Sequence, residues 1–451
     1  MEHLAQLRRL GLFDAKVPRY TSYPPATKFS NDVTGAVFRD WVSAIPEGSA
    51  ISVYMHVPFC RRLCWFCACR TQGTRSDAPV NAYVDSLRQE VANLAAILPE
   101  GVRIARLHWG GGTPTLLRPE QMHSLADTIL EAMPLARGAE FSVEIDPNEI
   151  DEARLDALAA IGMNRASIGV QDFDEDIQKT IGRIQGYEVT RETVEALRAH
   201  GIRSLNADIL YGLPHQNQAR MAESVQMLLS LSPDRVALYG YAHVPWMAKR
   251  QAMIPTDALP SPEERLHLFH TARRLFLWDG YQEIGIDHFA RPSDSMAVAA
   301  RSGHLRRNFQ GYTDDTCDVL IGLGASAISR FPQGFAQNAS GTAQYQASVR
   351  EGQMATGRGH IFKGEDHWRG RMIEMLLCDF AIESAPLIAE YGVDELTLRR
   401  LYRSVDEAFP GMTRTTQNGF EITEEGRPLA RMIARAFDGY EMRAEGHSAA
   451  F

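Results

Sequence analysis

Short apolar runs alternate with longer stretches of helical periodicity from Ile51 to Tyr241. The runs Ile51–Val57, Ile104–Trp109, Phe141–Ile145, Arg165–Val170, Leu205–Tyr211 and Arg235–Tyr241 predict strands. Between them, amphipathic stretches near Val80–Leu98, Pro119–Met133, Glu152–Ile161, Val189–His200 and Gln218–Leu229 predict helices. Pro119 and Glu120 are helix-start residues, and Gly162 and Gly201 stand where left-handed caps belong. Nearly all-apolar strands separated by helices imply a parallel sheet covered by helices. Six such units predict an α/β fold, a partial (β/α)6 TIM-like barrel and not a closed eightfold one. Polar and glycine residues gather at the strand ends: a cysteine loop, Gly110-Gly111-Gly112-Thr113-Pro114, Glu144 with Asp146, Gln171-Asp172, Asp208 to Gly212, and Ala242-His243. Chemistry in barrels of parallel strands sits at the C-terminal rim, so these clusters should share one mouth.

Outside this stretch the pattern changes. Pro18-Arg-Tyr-Thr-Ser-Tyr-Pro-Pro is too rich in proline for a core helix, and residues 1–50 read as an arm lying over the barrel. A helix near Pro262–Trp278 leads into glycine- and arginine-containing chain up to Gly324. From about Gly359 the sequence reads as mainly helical, with Thr397–Ala408, a hairpin-like Gly419–Thr423 and a last helix near Glu425–Phe437. The expected division is an arm (1–50), a catalytic domain (51–358) and a helical C-terminal domain (359–451).

Composition narrows the function. The 451 residues are 45% hydrophobic and 23% charged, ordinary for a globular enzyme. No apolar run approaches a membrane span, and the N-terminus shows no apolar signal core, so a cytoplasmic enzyme without membrane contact is expected. A net charge of −9 gives no general attraction to nucleic acid, and an anionic substrate would need a local basic pocket.

The candidate chemistry starts at Cys60-Arg-Arg-Leu-Cys64-Trp-Phe-Cys67-Ala-Cys69, four of the six cysteines in one decapeptide. Closely spaced thiols point at a metal or a cluster. A structural zinc site usually draws a second Cys-x-x-Cys pair from elsewhere, and none exists here. Three thiolates on a four-iron cluster leave one iron open to a reactant. The glycine run after the second strand is either a tight turn or a place where backbone approaches a ligand. Glu144, Gln171, Arg183 and Asp208 are each a rim ligand or an ordinary polar surface residue. Tyr54 is either core or a wall of the cluster site, and His56 reads as a packed, hydrogen-bonded histidine. Cys317 and Cys378 read as inert core thiols in helix or strand. Arg291, Arg306 and Arg307 flank Asn308-Phe-Gln-Gly-Tyr; they form a solvated face or bind carboxylates.

The cysteine spacing resembles the radical S-adenosylmethionine signature. Over nearly the whole length the chain resembles the oxygen-independent coproporphyrinogen III oxidases (coproporphyrinogen dehydrogenases) of haem biosynthesis. The resemblance is carried by Arg19-Tyr-Thr-Ser-Tyr-Pro, the cysteine loop with its extra Cys69, Leu107-His-Trp-Gly-Gly-Gly-Thr-Pro-Thr, Gly169-Val-Gln-Asp-Phe, Asp208 to Pro214, Asp287-His-Phe-Ala-Arg-Pro and Asn308-Phe-Gln-Gly-Tyr. It implies a 4Fe-4S cluster on Cys60, Cys64 and Cys67, with Cys69 a non-ligand thiol at the reaction site. It also implies two S-adenosylmethionine molecules, one touching Tyr54, Phe66, Gly111, Glu144 and Ile328, the other Gly112, Thr113, Gln171, Arg183, Asp208 and Ala242. The implied reaction uses a 5′-deoxyadenosyl radical to convert two propionates of coproporphyrinogen III to vinyl groups. The implied partners are a low-potential electron donor such as flavodoxin or ferredoxin, acting on a monomer. A haem-binding chaperone and a haem-remodelling radical enzyme have similar barrels; the long arm and Cys69 argue against the chaperone.

Overall fold

The protein, seen in a computed structural model that describes residues 2–441 and 450, is built on one twelve-stranded sheet. Strands β1 (Ala50–Val57), β2 (Arg103–Gly111), β3 (Leu135–Ile145), β4 (Arg165–Gln171), β5 (Ser204–Tyr211) and β6 (Arg235–Gly240) lie side by side and parallel. Helices α1 (Ala78–Ala95), α2 (Pro119–Ala132), α3 (Glu152–Ala160), α4 (Glu175–Ile181), α5 (Tyr187–Ala199) and α6 (Gln218–Ser230) connect them. This is the partial barrel that the alternation predicts. The short helix α4 is an addition, capped by Asp174, whose carboxylate accepts the amides of Asp176 and Ile177. The predicted caps hold: Gly162 and Gly201 both have positive φ.

Beyond α6 the barrel edges are extended. Helix α7 (Pro262–Trp278) is followed by β7 (Gln282–Ile284) and β8 (His288–Ala290), the latter antiparallel to β6. At the other edge β9 (Leu320–Leu323) runs parallel to β1 and continues antiparallel into β10 (Ile328–Phe331), β11 (Gly334–Asn338) and β12 (Thr356–Ile361). The N-terminal end of the barrel is sealed by ion pairs. Arg106 meets Glu140 at 3.1 Å and Asp314 at 3.0 Å, Arg165 meets Glu140 at 2.8 Å, and Arg235 meets Asp294 at 2.6 Å. Charges buried this way are tolerated because each is paired.

Two large apolar cores dominate, with two smaller clusters beside them. One fills the space between sheet and helices and includes Phe38, Trp41 and Val42 from the helix Gly35–Ser43. The other joins Leu7, Leu12, Val17, Tyr20 and Tyr23 to the helices α8 (Asp366–Asp379), α9 (Ser384–Tyr391), α10 (Glu395–Ala408) and α11 (Ala430–Ala436). The first fifty residues thus divide between both cores. Three details of the C-terminal half differ from expectation. A three-stranded antiparallel sheet, Ala381–Glu383, Gly419–Ile422 and Thr413–Thr415, interrupts the helices. The last helix begins at Ala430, because Pro428 confines Glu424–Leu429 to a 3-10 turn. Cys378 is buried in α8 as expected, but Cys317 is half-buried in a loop where its amide donates to Asp315. Among the described residues no helix is long and apolar enough to cross a membrane.

Candidate functional site

Inward and outward residues of the barrel strands differ in burial. Along β5, Ser204, Asn206 and Asp208 are half-exposed while Leu205, Ala207 and Ile209 are buried. Tyr54 in β1, His108 in β2, Glu144 in β3 and Ser167, Gly169 and Gln171 in β4 repeat the pattern. Side chains alternate across a strand, so these residues face one lumen. The lumen is polar and open. Its polar wall was legible as a two-residue period inside runs that read as nearly apolar; His108, Ser167, Asn206 and Tyr239 were missed for that reason.

The cysteine loop closes the C-terminal mouth. Phe59–Cys60 pairs with Gln72–Gly73, so the loop is a closed excursion with fixed ends. Its interior is held by side chains that sequence reading did not single out. The buried Gln251 donates to the carbonyls of Phe66 at 2.6 Å and Ala242 at 3.0 Å, and accepts the Val244 amide. Arg250 donates to the Thr71 carbonyl and hydroxyl, and Trp65 N–H donates to Ile181 O at 2.9 Å. His56 Nε2–H donates to Arg70 O at 3.0 Å. Its Nδ1 therefore accepts from Tyr54 Oη at 2.9 Å, in the neutral tautomer that burial favours. The expectation of a hydrogen-bonded, non-ligating His56 fits this geometry.

The thiols of Cys60, Cys64 and Cys67 are all free, half-buried and close enough to perturb one another. Burial first, then the neighbouring thiols, pushes Cys60 up to about 11, against a hydrogen bond from Thr113. Cys67 is held down by donation from Cys69, and Cys69 is pushed up by the same contact. The Cys69 amide also points at Cys67 Sγ, 3.4 Å away. Arg183 Nη1 lies 3.5 Å from Cys64 Sγ. Soft thiolates steadied by guanidinium and amide donors suit an iron–sulfur cluster. Among the described residues the one group of three donors within 4.8 Å of one another is Glu152, Asp156 and His200 on the outer surface, well apart from the cysteines.

Beside the loop lies a glycine cradle. Gly111 has φ +112°, and a Cβ there would collide with the His56 ring. A Cβ on Gly112 would sit 2.5 Å from Phe59 O. The Gly111 amide donates to Glu144 Oε2 at 3.0 Å, and His108 Nε2 stands 3.5 Å from Oε1. Burial raises the Glu144 carboxyl, but these donors outweigh it and hold it below the usual carboxylate range. His108 stacks on Tyr54, ring centroids 5.7 Å apart. Ile328 adjoins this group through Gly322, the register partner of Tyr54: a Cβ on Gly322 would meet Ile328 O at 2.7 Å.

A second polar group lies across the lumen. Gln171 adopts φ +68° at a register shift of β4, an uncommon conformation for a non-glycine residue. Arg183 donates to Gly169 O and Gln185 Oε1, both at 2.9 Å, faces Asp146 at 3.4 Å, and keeps a buried Nε without a partner. Burial pushes the Asp208 carboxyl up to about 6 against the Asn206 hydrogen bond of 2.9 Å. Behind it, Tyr239 Oη lies 3.3 Å from His288 Nε2, whose Nδ1–H donates to Asp287 at 2.7 Å. Thus Cys60, Cys64, Cys67, Cys69, Tyr54, Phe66, Gly111, Gly112, Thr113, Glu144, Gln171, Arg183, Asp208, Ala242 and Ile328 border one mouth. Arg291 does not: it pairs with Asp279 at 2.9 Å and covers Tyr281.

A six-stranded open barrel with a three-cysteine loop at its mouth defines a radical S-adenosylmethionine protein, and residues 54–228 match the Radical SAM superfamily. The chain is 65% identical over 450 residues to the oxygen-independent coproporphyrinogen III oxidase of Paracoccus denitrificans, covering 100% of both chains. It is 38% identical over 430 residues to the Escherichia coli protein of the same name, covering 94% of this chain and 93% of that one. The solved structure of coproporphyrinogen III oxidase from Escherichia coli, described as a radical SAM enzyme, superposes with a TM-score of 0.89 at 36% identity, over 95% of this chain and 100% of that one. The chain belongs to the oxygen-independent coproporphyrinogen III oxidase family.

Proposed function

We propose that this protein is a coproporphyrinogen dehydrogenase that converts two propionates of coproporphyrinogen III to vinyl groups, yielding protoporphyrinogen IX. The observation that carries the reading is the meeting of the cysteine loop, the glycine cradle and two separate polar groups in one lumen, within a family match spanning the whole chain. Cys60, Cys64 and Cys67 would hold a 4Fe-4S cluster. Tyr54, Phe66, Gly111, Glu144 and Ile328 would hold one S-adenosylmethionine, and Gly112, Thr113, Gln171, Arg183, Asp208 and Ala242 a second. When bound, these cofactors supply an electron and a carbon-centred radical able to remove a propionate β-hydrogen.

The protein's own residues bind, orient and exclude water. Ionised Glu144 is an acceptor for ribose hydroxyls, fixed by Gly111 N–H and His108. Neutral Tyr54, its pKa raised by burial and then by Glu144, keeps His56 in the tautomer that anchors Arg70. Cys69 serves at the reaction site without ligating iron; its amide, 3.4 Å from Cys67 Sγ, supports a place beside the ligand set. The catalytic unit is residues 51–358, and Arg19 from the N-terminal segment reaches its mouth at Gly240 O. A low-potential flavodoxin or ferredoxin would be the donor to a cytoplasmic monomer. The test is anaerobic incubation of reductant, S-adenosylmethionine and coproporphyrinogen III with a one-electron acceptor, which takes the electron released as each propionate loses carbon dioxide. Protoporphyrinogen IX and carbon dioxide are expected, with 5′-deoxyadenosine released. Deoxyadenosine release without porphyrinogen conversion would refute the substrate.

A further inference from the structure

The cofactor side of the lumen carries Glu144 and Asp208; the opposite flank is cationic. Arg19 from the N-terminal segment, Arg265 from α7 and Arg307 from the hairpin Arg306–Asn308/Gly311–Thr313 converge there. Arg19 and Arg307 both help hold Asp287 below its usual range, after the His288 hydrogen bond has overcome burial. Arg19 also lies near enough to Arg265 to disfavour its charge, second to burial. Both Arg19 and Arg307 act on Tyr239, which also feels Asp208, so the group borders the reaction lumen.

Each guanidinium is held from behind. Arg307 stacks 4.5 Å above Tyr312, with Nε and Nη1 buried and without partners. Arg265 lies 5.5 Å from the Tyr211 ring, and its buried Nε has no partner. A Cβ on Gly212, at φ +84°, would collide with Arg265, and one on Gly240 would lie 3.2 Å from it. Arg19 donates to Gly240 O at 2.9 Å. Among the described residues, none of the three guanidinium groups has a carboxylate within 4.0 Å. Arg265 and Arg307 are half-buried and Arg19 exposed, and the one carboxylate that Arg19 and Arg307 share, Asp287, is already engaged by His288; three cations around one carboxylate leave charge that a guanidinium fork can offer to a further carboxylate. Arg307 also lines a cavity of about 130 Å³ between Tyr20–Tyr23 and α8. Sites that enclose a drug-sized ligand hold ~300–1,000 Å³, so this void suits a side arm and not a macrocycle.

We propose that Arg19, Arg265 and Arg307 form a carboxylate seat that binds substrate propionates and so presents another propionate to the radical site. The seat rests on the coproporphyrinogen reading. Arg431 of α11 stands beside it and donates to Val17 O at 2.7 Å and Ala450 O at 3.0 Å, tying the segment that carries Arg19 to the C-terminal core.

The test uses the anaerobic holoenzyme and fluorescence titration with coproporphyrin III, which keeps all four carboxylates, and with its tetramethyl ester, which has none. Arg265→Gln and Arg307→Gln should each weaken coproporphyrin binding roughly tenfold or more, the size of a lost charged hydrogen bond. The ester should bind both variants as it binds the parent, Arg291→Gln should change nothing, and Arg307→Lys should restore part of the loss. S-adenosylmethionine affinity and cluster absorbance should match the parent in every variant. Unchanged coproporphyrin affinity in both Gln variants, or equal losses for acid and ester, overturns the seat. If one Gln variant fails to fold, the other with Arg307→Lys decides. Parent enzyme that converts coproporphyrinogen while the variants bind normally overturns the seat alone. Parent that neither binds nor converts overturns the substrate reading and the seat with it.

Discussion

At the scale of single residues, the site depends on contacts that leave no spare room. Gly111 carries φ +112° and sits against His56, so Gly111→Ala strains the backbone by about 1–3 kcal/mol and displaces the imidazole. The Tyr54–His56–Arg70 chain should then break, with S-adenosylmethionine affinity falling at least tenfold while the protein still folds; isothermal titration of the anaerobic holoenzyme with its cluster oxidised measures it. Glu144→Ala and Gln171→Ala should weaken S-adenosylmethionine binding at two separable sites, because the residues stand on different strands with different partners. A titration in which both variants fill every parent site would sink that assignment. Among the thiols, Cys64→Ala should abolish the visible iron–sulfur absorption, whereas Cys69→Ala should keep most iron and lose turnover. Iron loss in Cys69→Ala equal to that in Cys64→Ala would make Cys69 a ligand.

At the scale of elements, helix α1 is locked to the far edge of the barrel through one carboxylate. Glu90 accepts from Gly324 N–H at 2.7 Å, Tyr345 Oη–H at 2.7 Å and Asn338 Nδ2–H at 2.6 Å. These donors favour the charged form, but burial prevails and raises the carboxyl from 4.5 to about 7. Between those values the folded state holds a proton that the unfolded state has lost. The group's contribution is therefore complete below pH 4.5 and fades as pH climbs to about 7. Urea unfolding of the parent should lose on the order of 3 kcal/mol more across that window than Glu90→Gln does. Parallel pH profiles would contradict the assignment. Tyr83 shares this junction, donating to His56 O at 2.9 Å and accepting from the Ala325 amide, so the anchor also reaches the cysteine loop.

At the scale of the whole molecule, two cores are stitched by the chain's ends. Leu7, Leu12, Val17, Tyr20 and Tyr23 are buried among the C-terminal helices, while Arg19 reaches the barrel mouth. Deleting residues 2–24 should uncover the second core, at about 1.5–3 kcal/mol for each large apolar side chain lost. Hydrogen exchange should speed up in α8 and α11 and stay slow in β1–β5. Porphyrinogen conversion per deoxyadenosine released should fall, because the lumen opens to water and the Arg19 contact is gone. An unchanged ratio with unchanged exchange would show that the segment is not part of that core.

The strand–helix alternation and the position of the chemistry were legible in the sequence because both are local. Period and end-residue type fix which runs become parallel strands, and three cysteines within eight residues must share a centre wherever the loop lies. The family motifs marked Glu144, Gln171 and Asp208 without saying which atoms face them. Only tertiary structure decided the partners, because they come from stretches far apart in sequence. Gln251 braces Phe66 across the mouth, His108 meets Glu144 from the neighbouring strand, and Arg183 reaches Cys64. It also separated arginines that composition treats alike. Arg291 lies on the outside against Asp279, while Arg307, from the same basic stretch, turns inward beside Asp287 because its hairpin folds back against α8. Charge and motif are properties of the chain; which side of a wall a guanidinium occupies is set by packing, and it follows from the fold alone.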